Sequence, residues 1–368
     1  MLPIRQEFIN AHPDLYQKLL SPEYKFLEEN EHIKGKIMLL ALGGSHAYGL
    51  NTPESDLDIR GIAFNSKTDL LGLTHFDQVV EPNTDTTIYS LNKMFGLLME
   101  CNPNIIEILG LRNEDYLYIS PEGQELLDNK DIFLSKKAEH TFSGYAYAQL
   151  KRLQNATARD SLSQEEREHH ILHSINKQIS ELHQKFENSV GDLKLEVGNA
   201  VSDGHTKEIL MSGNFDNYPL RSFNQLYNAM NQVCKDYDHL DNRNRKKDDK
   251  HLNKHAAHLV RLYQMAFDIL EKGEINTHRE GEDLQLLKDI RAGKYMKDSV
   301  MIPEFYQMVD RLDTKLNEVS EKSKLPRKVD FEKCQNLLVR LNEKTLERER
   351  KLEPEKKIEP EIGSNGLF

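Results

Sequence analysis

The sequence predicts an α+β protein, with a small β-sheet and flanking helices in the first 130 residues and a larger all-α region after it. Three observations lead there. A short apolar run, Ile37–Leu42, is stopped abruptly by two glycines. A second segment, residues 55–64, alternates apolar and polar positions as a half-buried strand does. From about residue 115 onward, strand signals become scarce and apolar positions recur at helical spacing.

The run Ile37–Leu42 is continuous and apolar, which fits a strand buried on both faces. Gly43 and Gly44 then allow positive φ and close approach of a ligand to the backbone, while Ser45 is placed to cap a following helical turn and offers a hydroxyl. Free N–H groups at such a helix start attract phosphate. Eleven residues after Ser45 comes Asp56-Leu57-Asp58. On a strand, side chains at i and i+2 share a face, so Asp56 and Asp58 would point one way while Leu57 and Ile59 enter the core. Two adjacent carboxylates repel, and burying them is costly without a cation. Mg²⁺ is suited to a few carboxylates completed by water and substrate phosphates. A phosphate-holding turn next to a metal-holding pair points to nucleotidyl transfer. Gly-Gly-Ser alone is an ordinary turn, and a lone Asp-x-Asp says as little; their order along the chain carries the signal.

That order resembles the DNA polymerase β-like nucleotidyltransferase superfamily. The longer match, Gly44-Ser45-His46-Ala47-Tyr48-Gly49-Leu50 with Ser55-Asp56-Leu57-Asp58-Ile59-Arg60-Gly61, is similar to its bacterial and phage branch of predicted nucleotidyltransferases. The resemblance covers about residues 35–155, with a second patch near 250–300. It implies a small mixed sheet as the catalytic core and a third carboxylate on a later strand. Asp85, within residues 84–91, matches that place best, with Asp77, Glu81 and Glu107 as competitors. The branch also has a helix, an Asn-Pro-x turn and a Glu in the next helix, matched by residues 91–102, Asn102-Pro103-Asn104 and Glu107. Lys93 and Glu107 read either as a surface lysine and a helix-start glutamate or as residues that reach the cleft.

Farther on, residues 136–155, 163–192, shorter stretches in 205–235, 252–272, 303–320 and 330–350 read as helices, with a break at Ser189-Val190-Gly191-Asp192. In 252–272 the core stripe is Leu252, Ala256, Leu259, Tyr263, Ala266 and Leu270. Lys254, His258 and Arg261 fall on the opposite face, which periodicity alone reads as solvated. The resemblance, carried there by residues 254–262 and by Gly273, Arg279, Arg291 and Lys294, implies instead that Lys254 and Arg261 hold the triphosphate while His258 hydrogen-bonds it. Residues 157–250 form a longer, more polar insert than the branch needs, suited to substrate specificity or an oligomer contact. The domains expected are 1–130 catalytic, 131–350 helical and closing the nucleotide cleft, and 351–368 a flexible charged tail.

With 368 residues, 30% charged and a mean hydropathy of −0.67, the chain reads as soluble. It has no run long enough to span a membrane and no signal-peptide pattern at Met1, so a cytoplasmic location is expected. Cys101, Cys234 and Cys334 are too scattered for a zinc or disulfide framework, with Cys101 expected in the core. A net charge of −11 argues against a broad nucleic-acid-coating surface but allows a local basic groove, for which residues 242–250 are a candidate.

The activity implied is transfer of a nucleotide from a nucleoside triphosphate, ATP among them, to an acceptor hydroxyl with release of pyrophosphate. Asp56, Asp58 and Asp85 would be the catalytic and metal-binding carboxylates, with two Mg²⁺ ions and Mn²⁺ as an alternative. Gly43, Gly44 and Ser45 would cradle phosphates. An RNA end is slightly preferred as acceptor over a protein hydroxyl or a small molecule. A non-catalytic nucleotide-sensing module, or a helical interaction protein with a chance glycine turn, stands as the alternative; the latter predicts no strand at residues 36–42 or 57–64.

Overall fold

The apolar run of residues 37–42 is β1 (Ile37–Leu42), buried at every position as a central strand requires. The computed structural model describes residues 2–53, 55–161, 191–199, 207–215, 218–228, 230–231 and 249–352. In chain order the other strands of its main sheet are β2 (Ile59–Ala63), β3 (Gln78–Glu81), β4 (Thr86–Ser90) and β5 (Tyr116–Ile119). Their order is β3-β4-β2-β1-β5. Only β2 and β4 run parallel; the other neighbours are antiparallel, so the sheet is mixed. The fold is α+β, with this sheet and its helices first and a mostly helical part after it.

Register decides what the sheet can build. Leu42 pairs with Ile59 across the antiparallel β1–β2 ladder, and Ile59 pairs with Thr86 across the parallel β2–β4 ladder. The residues just outside those pairs, Gly43, Asp58 and Asp85, therefore meet at one end of three adjacent strands. The Gly43 amide donates to the Asp58 carbonyl at 2.8 Å, extending the ladder by one step.

One face of the sheet buries Leu40, Leu42, Ile59 and Ile88 against Phe8, Leu19, Tyr24 and Leu27 from the N-terminal segment. The helix Leu91–Met99 packs on β2 and β4 and is capped by the Ser90 side chain, which accepts from the Lys93 amide. It ends at Cys101, fully buried with φ +53, before the Asn102 side chain caps the turn begun by Pro103. The helix Phe331–Leu352 is tied to the helix Pro121–Asp128 by Arg340 and Lys344 on Glu125 and by Arg348 on Glu122, each at 2.6 Å.

Several expectations are revised. Asp56, Leu57 and Asp58 precede β2 instead of lying within it, although Leu57 and Ile59 are buried as the alternation requires. The region after residue 130 is not all helical: Lys207–Asn214, inside the 205–235 stretch expected to hold shorter helices, is a strand paired antiparallel with Gly191–Asn199, whereas residues 220–228 are helical as expected. Leu193, Leu195 and Val197 alternate with Lys194 and Glu196, the two-residue period of a strand. A short antiparallel pair, Met296–Lys297 with Val300–Met301, was not anticipated either. The helices at 136–155, 252–272, 303–320 and 330–350 are present as Lys137–Ser161, Asp249–Phe267 with a π-helical turn to Lys272, Pro303–Lys322 and Phe331–Leu352. Residues 162–190, Cys234, most of the 242–250 basic run and the tail from 353 lie outside the described residues.

Two compact units emerge. The first comprises Met1–Gln149, Ala256–Lys294 and Pro303–Phe368, and the second Leu150–His255 and Tyr295–Ile302. The first thus contains the sheet together with most of the helix Asp249–Phe267 and the helices Gly281–Arg291, Pro303–Lys322 and Phe331–Leu352. No described helix is long and apolar enough to cross a membrane.

Phe8 is fully buried on the sheet, so Phe8→Ala is expected to lower the unfolding free energy by about 3–5 kcal/mol. Chemical denaturation checks this; a loss under about 1 kcal/mol would show that the N-terminal helices do not belong to the cooperative core.

Candidate active site

Gly44 lies directly against Asp58. Its φ is +55, in the left-handed region, and a Cβ at this position would sit 1.5 Å from Asp58 Oδ2. Only glycine permits both the turn and the close approach. Gly43, with φ −117, is extended, so of the two glycines Gly44 alone takes the positive angle. The helix Gly44–Tyr48 begins with Gly43 as its N-cap and has no side-chain cap. Ser45 lies inside the first turn and does not cap it, which leaves the opening amides without the usual side-chain acceptor.

Asp58 is half-buried and its side chain hydrogen-bonds Asp85. Burial, then the Asp85 hydrogen bond and charge, push the Asp58 carboxyl up to about 7, against a smaller opposing pull from Arg60. Asp85 itself has φ +43, an angle that Asp tolerates better than most residues. Arg60 holds it there: Nη1 donates to the Asp85 carbonyl, and Nη2 lies 3.3 Å from Oδ1. The Asp85 side chain is 66% exposed, so the pair opens to solvent on one side. Asp56 is exposed and close enough for its charge to reach Asp58 and Tyr24. Among the described residues no three Asp, Glu, His or Cys side chains form a complete metal cage. Two carboxyls held in hydrogen-bond contact are nevertheless a fit for Mg²⁺, which takes few protein ligands and fills its shell with water and phosphates.

The competing carboxylates go elsewhere. Asp77 pairs with Lys93 at 3.3 Å and with His75 at 2.9 Å, and Glu81 accepts from the Asn83 amide. Glu107 is buried and accepts from the Tyr48 hydroxyl at 2.9 Å and from Arg261 Nη1 at 3.1 Å. Arg261 is only 1% exposed, so it does not lie on a solvated helix face. Its guanidinium stacks on the Tyr48 ring, 3.5 Å from the centroid, and Nη2 meets His258 Nδ1 at 2.9 Å. A guanidinium only donates, so His258 accepts through Nδ1 and carries its proton on Nε2. Lys254, on the same helix, is exposed and belongs to the second unit. The structure thus brings Gly43, Gly44, Asp58 and Asp85 together, and joins Arg261 to Tyr48 both directly and through Glu107, with His258 held on Arg261.

The helix Gly44–Tyr48 is held from several sides. His46 is buried, hydrogen-bonds the Ser55 main chain, and has its pKa lowered chiefly by burial. His278 lies over Gly49, where a Cβ would meet its ring at 2.6 Å, and hydrogen-bonds the Ala47 main chain. Arg279 N donates to Tyr48 O at 3.2 Å, and Arg291 Nη1 to Leu50 O at 2.5 Å. Sequence reasoning gave Arg60 and Tyr48 no role, although both lie inside the quoted motif. It noted Arg279 and Arg291 by order alone.

The raised Asp58 pKa has a testable sign. Between about pH 4 and 7 the folded protein keeps a proton that the unfolded chain has lost, so this group lowers stability as pH rises through that window. Metal-free Asp58→Asn protein is therefore expected to melt above wild type near pH 8, with the gap closing toward about pH 4. A variant that melts well below wild type at the higher pH would contradict the burial of this carboxyl.

Residues 19–188, somewhat under half of the chain, match the family model described as RNA repair pathway DNA polymerase beta family. The match spans the glycine turn, all three aspartates and the five-stranded sheet. No curated protein and no solved structure matches the chain.

Proposed function

We propose that this chain is a metal-dependent nucleotidyltransferase, moving a nucleoside monophosphate from a nucleoside triphosphate to an acceptor hydroxyl. One observation carries the reading: the Asp58 carboxyl, packed on the Gly44 turn, shares a hydrogen bond with Asp85 where β1, β2 and β4 end together. The family match supports the same class of chemistry, and its description favours an RNA end as acceptor.

Asp58 and Asp85 would hold a divalent cation, with Asp56 joining once substrate draws it in. When bound, that cation neutralises triphosphate charge and lowers the pKa of the attacking hydroxyl. The acceptor oxygen bonds to the α-phosphorus, the bond from that phosphorus to the bridging oxygen breaks, and pyrophosphate departs with the electron pair. Asp85, the more open carboxylate, takes the hydroxyl proton. The Gly44 and Ser45 amides and the Ser45 hydroxyl receive the β- and γ-phosphates, because no side chain of the protein caps that helix start. Arg60 keeps Asp85 beside Asp58, its planar fork of donors engaging both the main-chain carbonyl and the carboxylate.

Incubation with each α-labelled nucleoside triphosphate, Mg²⁺ and cellular RNA is expected to label RNA. Asp58→Asn should nearly abolish the label, and Asp85→Asn should reduce it by about 10²–10⁴-fold. Gly44→Ala should also eliminate it, since the added methyl displaces the Asp58 carboxylate. Full activity in Asp58→Asn protein would rule out the metal assignment. Label in protein or small molecules, and none in RNA, would move the acceptor class.

A further inference from the structure

The turn that carries Gly44 and Ser45 ends in Tyr48, and Tyr48 is the centre of a buried polar cluster within the first unit. Its ring lies under the Arg261 guanidinium and its hydroxyl donates to the Glu107 carboxylate, which Arg261 also engages. Glu107 is fixed in turn by its own main chain, whose carbonyl accepts from Thr277 Oγ1 at 2.6 Å. Arg261 stands on the helix Asp249–Phe267, and Glu107 on the short helical stretch after Pro103. Two distant parts of the chain thus converge on one tyrosine.

An ion pair this buried is a poor way to gain stability, because desolvation offsets most of the attraction and an apolar pair of equal volume packs as well. What a charged fork and a carboxylate provide, and an apolar pair does not, is a fixed direction. Here that direction is imposed on Tyr48, one turn of helix from the amides at Gly44 and Ser45. The other end of the same five-residue helix is pressed against Asp58, so its position is defined at both ends.

We infer that Tyr48, Glu107 and Arg261 form a brace that positions the Gly44–Ser45 turn for the nucleotide phosphates, and that Arg261 acts through Tyr48 instead of touching substrate. This rests on the nucleotidyltransferase reading above. The three are positioning residues: they set how well the turn receives phosphate and leave the carboxylates alone. Disturbing the brace weakens nucleotide binding and leaves cation binding at Asp58 and Asp85 as it was.

Tyr48→Phe removes one hydroxyl and keeps the ring under Arg261. It is expected to raise both the nucleotide Kd and KM about tenfold, the loss expected for a hydrogen bond to a charged group, with kcat within about twofold. Affinity for Mn²⁺ without nucleotide, read by paramagnetic resonance, should be unchanged. The double substitution Glu107→Leu with Arg261→Met replaces the ion pair by apolar bulk. It is expected to melt near wild type yet bind nucleotide as poorly as Tyr48→Phe or worse. Wild-type nucleotide affinity in both Tyr48→Phe and the folded double variant would overturn the brace while leaving the nucleotidyltransferase reading intact. If the double variant does not fold, Tyr48→Phe alone decides. A wild-type protein that binds no nucleotide with Mg²⁺ would instead overturn that reading, and the brace with it.

Discussion

The contact between Gly44 and the Asp58 carboxylate is the constraint around which the site is organised. It exists because β1 ends where β2 begins, and because a glycine at φ +55 leaves room for an oxygen where any other residue would place a methyl. The parallel pairing of β2 with β4 then delivers Asp85 to the same edge. Had β4 paired antiparallel, its first residue would lie at the far end of the sheet, and the two carboxyls would never meet. A single register therefore brings the Gly44 turn, Asp58 and Asp85 together.

That arrangement is bought at a cost in stability. A carboxyl whose pKa is pushed up to about 7 by burial and by a second acid destabilises the folded chain at neutral pH. The surrounding structure bears the strain: the Phe8 and Leu27 side of the sheet is a buried hydrophobic core, and Arg60 anchors Asp85 through both its carbonyl and its carboxylate. Local tension of this kind is characteristic of sites that await a charged ligand. The helix Gly44–Tyr48 is short and has no side-chain cap, so its orientation depends on what packs around it. His46, His278, Arg279 and Arg291 supply that packing from the same unit.

Local patterns were legible where they had a single interpretation. Ile37–Leu42 is long enough to be a strand, too short for a helix, and ended by glycines, so its boundaries could be read directly. The helices Pro303–Lys322 and Phe331–Leu352 have apolar stripes that no other period explains. The strands Gly191–Asn199 and Lys207–Asn214 were missed because short alternating runs inside a polar, helix-rich region carry little weight until a partner strand is known. Periodicity alone reads Arg261 as solvated for a related reason. On a helix whose apolar stripe is already complete, a cation reads as surface, and only a buried Glu107 from 154 residues away makes its burial affordable.

By itself the sequence determined the chemistry on offer: two glycines and a serine after a strand, an Asp-x-Asp after the turn, and a helical remainder. Those follow from neighbours a few residues apart, whose backbone preferences and side-chain spacing are local. Tertiary structure decided which acids meet, because strand order and direction are set by pairing between distant segments. It also decided that Glu107 and Arg261 meet at Tyr48, since the stability of a buried charge depends on a partner that no local pattern reveals.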